Sequence, residues 1–161
     1  SMGNAEVIQE GDIQVMSAGT GVQHSEYNNN PEKEINLFQL WLFPNKRNVT
    51  PRYDQVPIRS LHQKNAFFQI LSPSADDQGV WIHQDAWMHM LDADPGQSFD
   101  YELKSPNHGV YIIVIEGEVE IGDQTLSLRD AIGIWETQKV EVKTKTDAEL
   151  LMVQVPMIQL A

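Results

Sequence analysis

The chain contains no cysteine, no H-x-H tripeptide, no long apolar run and few basic residues. Without thiols it can form neither a disulfide framework nor a thiolate metal site. Its longest apolar run, Val110 to Ile115, is six residues, far short of the roughly 20 that a membrane-crossing helix needs. No membrane role is expected. Lys and Arg number 11 against 23 Asp and Glu, a formal net charge of −12. Affinity for nucleic acid rests on neutralising phosphates with Lys and Arg, and the few basic residues here are scattered, so direct nucleic-acid binding is not expected. No G-x-S-x-G elbow is present, and Gly19 and Gly21 begin a G-x-G that no third glycine or following helix completes. No secretory signal is legible at the amino end, and the expected location is the cytoplasm.

What is present reads as strand after strand. Glu6 to Met16 holds two short extended runs broken at Glu10-Gly11-Asp12. Ile35 to Phe43 is apolar except for Asn36 and Gln39, and reads as a strand buried on both faces. Pro44 to Pro57 reads as a loop crossing between sheets. Further strands are predicted at Phe67 to Leu71, Val80 to Ile82, Trp87 to Leu91 and Ser98 to Leu103. Asp94-Pro95-Gly96 marks a turn between the last two. Val110 to Glu116, Val119 to Ile121 and Thr125 to Leu128 read as a hairpin array turning at Gly117 and Gly122-Asp123. Ala131 to Trp135, Lys139 to Lys143 and Glu149 to Val155 complete the series. Short strands at turn-marked intervals of about ten residues are the pattern of a sandwich or jelly roll.

The richest stretch runs from Gly11 to Asn28: a strand, a glycine-punctuated turn, then a second strand carrying His24 and Glu26. Residues at i and i+2 of a strand share a face. An imidazole and a carboxylate placed so can grip one metal ion, and the pair suits iron, nickel, zinc or manganese. The alternative is a surface His-Ser-Glu at a strand end. Gln39 is a polar amide on the face of Leu37 and Trp41, where it either lines a ligand pocket or bonds a neighbouring loop. His83 and Asp85, with His89 six residues beyond His83, read as an edge pair rather than a second metal site. His108 reads as a loop residue.

Met16, Ala18, Gly19, Gly21, His24, Ser25 and Glu26 resemble the second metal-binding motif of the pirin family, iron-dependent bicupins with the signature M-x-A-G-x-G-x-x-H-S-E. The resemblance continues through Leu37-Phe38-Gln39-Leu40-Trp41 and Thr50-Pro51-Arg52-Tyr53 and, less sharply, through Leu71-Ser72-Pro73 and Ile82-His83-Gln84-Asp85. It is strongest to bacterial pirins with quercetin 2,3-dioxygenase activity. It implies an all-β, double-stranded β-helix (jelly-roll) bicupin with the first cupin incomplete. Residues 1–57 would be the carboxyl-terminal portion of the metal-binding first cupin plus a linker, and 58–161 a metal-free second cupin.

In the family, two histidines of an upstream H-x-H join the His and Glu of H-S-E around the metal. Here those two histidines are absent, and Ser1-Met2-Gly3-Asn4 resembles the family's interior sequence just upstream of the motif. The resemblance therefore implies one divalent metal, iron(II) ahead of nickel, zinc, manganese or copper, with His24 and Glu26 as two of its ligands. Glu26 is also the candidate proton acceptor from substrate, and Gln39 and Met16 the candidate substrate-binding residues. In the second cupin, taking Gly117 as the motif glycine puts Val110 where the glutamate should stand, and no histidine at either upstream position.

Two functions follow as expectations. One is a metal-dependent dioxygenase acting on flavonols such as quercetin, weak or inactive in this chain because two ligands are missing. The other is a non-catalytic module that senses metal or redox state and docks protein partners. A sheet edge left open invites pairing, so self-association or a retained amino-terminal fragment is also expected.

Overall fold

The apolar runs become the strands of stacked sheets in the computed structural model, which describes Gly3 and residues 6–157. Of the opening Ser1-Met2-Gly3-Asn4 only Gly3 lies within the described residues. An amino-terminal hairpin pairs β1 (Asp12–Ser17) with β2 (Arg52–Pro57) antiparallel. A 3-10 turn (Ile58–Ser60) follows. The next strands are β3 (Phe67–Ser72), β4 (Val80–Trp81), β5 (Trp87–Ala93), β6 (Ser98–Glu102) and β7 (His108–Glu116). The chain ends in β8 (Glu118–Ile121), β9 (Gln124–Ser127), β10 (Ala131–Ile134), β11 (Lys139–Thr144) and β12 (Ala148–Pro156).

These strands form a six-stranded sheet ordered β10-β7-β12-β5-β3-β4 and a four-stranded sheet ordered β6-β11-β8-β9. Between the sheets lies one core, in which Leu91, Ile112, Val114, Leu150 and Met152 meet Tyr101, Val119, Val140 and Val142. The other face of the six-stranded sheet holds a second core. There Met88, Met90, Ile113, Leu151 and Val153 pack with Val15, Ile13 and Val56 of the hairpin. Successive side chains alternate faces along a strand, so a sheet covered on both sides needs unbroken apolar runs. Val110–Ile115 and Leu150–Val153 are those runs. This two-sheet, all-β arrangement is the expected jelly roll.

One of the crossings between the sheets depends on a glycine, at a point where a hairpin turn was expected. β7 and β8 do not pair; the chain passes from one sheet to the other at Gly117, whose φ is +83. A Cβ there would stand 2.0 Å from the Asp147 carbonyl oxygen, so the position needs both glycine's left-handed backbone and its missing side chain. The hairpin expected to turn at Gly122-Asp123 is formed by β8 and β9.

Three expectations are corrected. No strand follows the glycine turn: residues 18–51 contain none, and His24 and Glu26 sit in irregular chain. Ile35 to Phe43, read as a strand buried on both faces, is neither a strand nor buried; only Leu42 is partly covered, against the outer core. The physical reason is the same in both cases. A strand requires a neighbour to complete its ladder, and no described strand pairs with these segments. Conversely, the loop read from Pro44 to Pro57 ends in β2, because β1 supplies that partner. Arg52 of β2 also ties the hairpin to β4. Its guanidinium lies 3.9 Å from the Trp81 ring centroid, and it donates to the Trp81 carbonyl and, at 3.1 Å, to Asp54.

Candidate metal centre

The glycine turn aims the candidate ligands. After β1, the Gly21 N–H donates to the Ala18 carbonyl at 2.8 Å and the Thr20 N–H to the Val49 carbonyl at 3.2 Å. Gly19, at φ +53, passes so close to Val49 that a Cβ would stand 2.0 Å from its carbonyl oxygen. Beyond this turn His24 Nε2 lies 4.0 Å from Glu26 Oε1, with the two side chains 43% and 39% exposed. The pair is thus brought together without a strand to do it, and it faces partly outward rather than into a barrel.

The donor types suit a divalent transition metal: a neutral imidazole nitrogen and a carboxylate oxygen. Ligand bonds of about 2.1 Å set adjacent donors roughly 3.0 to 3.4 Å apart in octahedral or tetrahedral geometry, so His24 and Glu26, at 4.0 Å, would close by about half an ångström or more to share one ion. The number of donors does not suffice. Among the described residues no group of three or more His, Asp or Glu side chains is placed to hold an ion. Met16 is half-buried in β1 opposite Tyr53. Gln39 is exposed, and its Oε1 accepts from the Trp41 indole N–H at 3.5 Å, two residues along rather than in another loop. Neither bonds to His24 or Glu26.

A second polar constellation was not legible in the sequence. At one end of the inter-sheet core, His89 of β5, Tyr101 of β6, His108 of β7 and Gln154 of β12 form a buried hydrogen-bonded chain. Tyr101 Oη lies 3.1 Å from His89 Nδ1 and 3.4 Å from Gln154 Oε1. The Lys104 backbone N–H donates to the same Oε1 at 3.2 Å, and Gln154 Nε2 donates to His108 Nδ1 at 2.9 Å. A backbone N–H can only donate, which fixes the Gln154 amide and makes His108 Nδ1 an acceptor. The His108 proton then sits on Nε2, 3.4 Å from Asp85 Oδ2. Trp87 packs against the His108 ring at 5.7 Å.

Burial, with a smaller contribution from Lys104, lowers the His89 pKa to about 4, and burial raises that of the Tyr101 phenol. His108 therefore is not the loop residue expected, but the buried first residue of β7. His83 and Asp85 form no pair: His83 meets the Trp81 ring edge-on, and Asp85 turns to His108. With His108 Nδ1 accepting from Gln154, its Nε2 near Asp85, and no fully buried side-chain nitrogen or oxygen of the four residues left without a partner, this network reads as a structural plug.

Comparison with known proteins agrees with this architecture. The model for the quercetinase C-terminal cupin domain matches residues 69–155, and that for pirin matches residues 1–42. Quercetin 2,3-dioxygenase of Escherichia coli K12 is 33% identical over 156 residues, covering 97% of this chain and 66% of the relative. A pirin-like protein of Caulobacter vibrioides is 31% identical over 154 residues, covering 95% and 66%. The structure of the bacterial pirin YhhW from Escherichia coli in complex with nickel(II) superposes with a TM-score of 0.89 at 31% identity, over 97% of this chain and 66% of that one. The chain thus spans about two thirds of the length of these relatives. No helix among the described residues is long and apolar enough to cross a membrane. From the cupin model that matches more than half its residues, and from these relatives along almost its whole length, the chain belongs to the pirin family.

Proposed function

We propose that this pirin-type cupin contributes to a quercetinase-like dioxygenase acting on flavonols, with His24 and Glu26 as two ligands of one divalent metal, iron(II) by preference. The observation that carries this reading is the 4.0 Å approach of His24 Nε2 to Glu26 Oε1 behind the glycine turn. It is supported by relatives named quercetin 2,3-dioxygenase and by a related pirin solved with nickel(II). We divide the chain accordingly into a metal-binding portion, 1–57, and a metal-free cupin, 58–161.

When bound, the metal supplies Lewis acidity and a template for the substrate oxygen. His24 would hold it through a neutral ring nitrogen and Glu26 through a carboxylate oxygen. Glu26, when not ligating, would accept the proton of a flavonol hydroxyl. Met16 offers an apolar wall, and the Gln39 amide a hydrogen bond to a substrate polar edge. A four-donor site needs two ligands beyond those these residues provide, so the 161-residue chain should turn over quercetin weakly or not at all.

The test compares oxygen uptake and quercetin loss for the chain with those for a version extended at the amino end to the length of its relatives, each loaded with iron(II). Turnover only in the extended version, abolished by His24→Ala or Glu26→Ala, is the expected result. Metal binding without turnover in the extended version would favour the sensing and docking reading, and equal turnover in both would refute the proposed ligand shortage.

A further inference from the structure

The link between β4 and β5, residues 82–86, is fixed by its own cupin. Ile82 and Ala86 are buried in the outer core. The Ile82 N–H donates to the Ser72 carbonyl at 3.1 Å and the Ala86 N–H to the Gln84 carbonyl at 2.9 Å. The Asp85 N–H donates to Gln84 Oε1 at 2.8 Å, which orients the Gln84 amide and leaves Nε2 as its donor. On this corner the amino-terminal portion docks at three points. Gln84 Nε2 donates to the Phe43 carbonyl, and the Asn45 N–H donates to the His83 carbonyl at 2.7 Å. Arg52 donates to the Trp81 carbonyl, with its guanidinium 3.9 Å from the Trp81 ring centroid.

Two of those points, Asn45 and Arg52, bracket Val49, and Val49 holds the glycine turn. Its carbonyl accepts the Thr20 N–H at 3.2 Å, and the β1–β2 ladder ends at the Ser17–Arg52 pair just before that turn. Residues 18–51 contain no strand, so the turn depends on tethers rather than on a ladder. We infer that the corner from Trp81 to Gln84 is a positioning clamp. Through Arg52 and Gln84, the carboxyl-terminal cupin orders the turn at 18–21 and with it the stretch carrying His24 and Glu26. A tethered stretch loses less conformational freedom when its side chains take up a ligand, so the clamp raises metal affinity without touching the metal. That consequence rests on the metal reading above; the ordering itself does not.

Hydrogen exchange of the metal-free chain, read by mass spectrometry over residues 18–27, tests the clamp. Arg52→Met keeps the stem but removes the cation and its donors. It should speed exchange there by about tenfold, the effect of losing one charge-assisted hydrogen bond. Arg52→Lys keeps a cation over the Trp81 ring and should recover most of the protection, while Gln84→Leu should speed exchange as well. Peptides from β5, β7 and β12 should exchange as in the parent. Unchanged exchange over 18–27 in both Arg52→Met and Gln84→Leu, no recovery in Arg52→Lys, loosening confined to 43–57, or faster exchange throughout the chain would each overturn the clamp. Nickel(II) titration of the same variants should show affinity falling by a similar factor with His24 and Glu26 in place. Loosened exchange with unchanged affinity would overturn the positioning of the ligands. Nickel(II) binding by the parent that ignores His24→Ala would instead sink the metal reading, and the clamp would be decided by exchange alone.

Discussion

Replacing Gln154 by leucine removes the centre of the buried polar chain without changing side-chain volume much, and the cost follows from the bonds it makes. The Lys104 N–H and His108 Nδ1 each lose a partner, while Tyr101 keeps His89. An orphaned buried polar group costs about 1–3 kcal/mol, and the better apolar burial of leucine returns about 1 kcal/mol. The net expectation for two such groups is a loss of about 1–5 kcal/mol. Urea unfolding followed by tryptophan fluorescence reads it directly, since Trp87 packs on His108, and an unchanged m-value would localise the effect in the native state. Gln154→Glu sharpens the test. The introduced carboxylate can still accept from Lys104 but cannot donate to His108 Nδ1 unless a proton is taken up by either group, so its destabilisation should shrink as pH falls. A loss below about 0.5 kcal/mol for the leucine variant, or a pH-independent loss for the glutamate variant, would refute the assigned network.

Two further outcomes follow from ionisation. Folding lowers the His89 pKa from 6.5 to about 4, so between those values the unfolded chain binds more protons, and stability should fall as pH drops through that window. The loss is at most roughly 3 kcal/mol, and pH-dependent unfolding of His89→Gln should show a flatter profile than that of the parent. Glu149 sits directly opposite Glu116 on β7 and Asp92 on β5. Its pKa is raised by burial first and then by those two carboxylates, which makes its charge a cost at neutral pH. Glu149→Gln should therefore stabilise the protein by up to about 1 kcal/mol at pH 7 and by less at pH 4, in the same unfolding assay; destabilisation at pH 7 would contradict the reading.

The sequence made the carboxyl-terminal cupin largely readable because β5, β7 and β12 are buried along most of their length and β11 alternates buried with exposed residues, both plain strand patterns. Runs such as Val110–Ile115 leave little choice but a buried ladder. Segments whose state depends on distant partners were less readable. Arg52–Pro57 is polar and bracketed by prolines, and becomes a strand only because β1 lies beside it. Ile35–Phe43 has every local mark of a strand, yet nothing described pairs with it. His108 follows Ser105-Pro106-Asn107, which reads as loop, but its ladder with Pro156 extends β7 by two residues beyond the apolar run. The buried network escaped because its four members come from four separate strands. One signal was available: Gln154 interrupts an apolar strand much as Gln39 does, and the same question about its hydrogen bonds would have found it. The His24–Glu26 pair was legible from spacing, though its setting in irregular chain was not.

Calorimetric titration of iron(II) or nickel(II) into the chain tests the proposed joint role of His24 and Glu26 most directly. One weak site, lost in both His24→Ala and Glu26→Ala, is the predicted result. Tight stoichiometric binding by the chain, or binding unchanged in either variant, would contradict it.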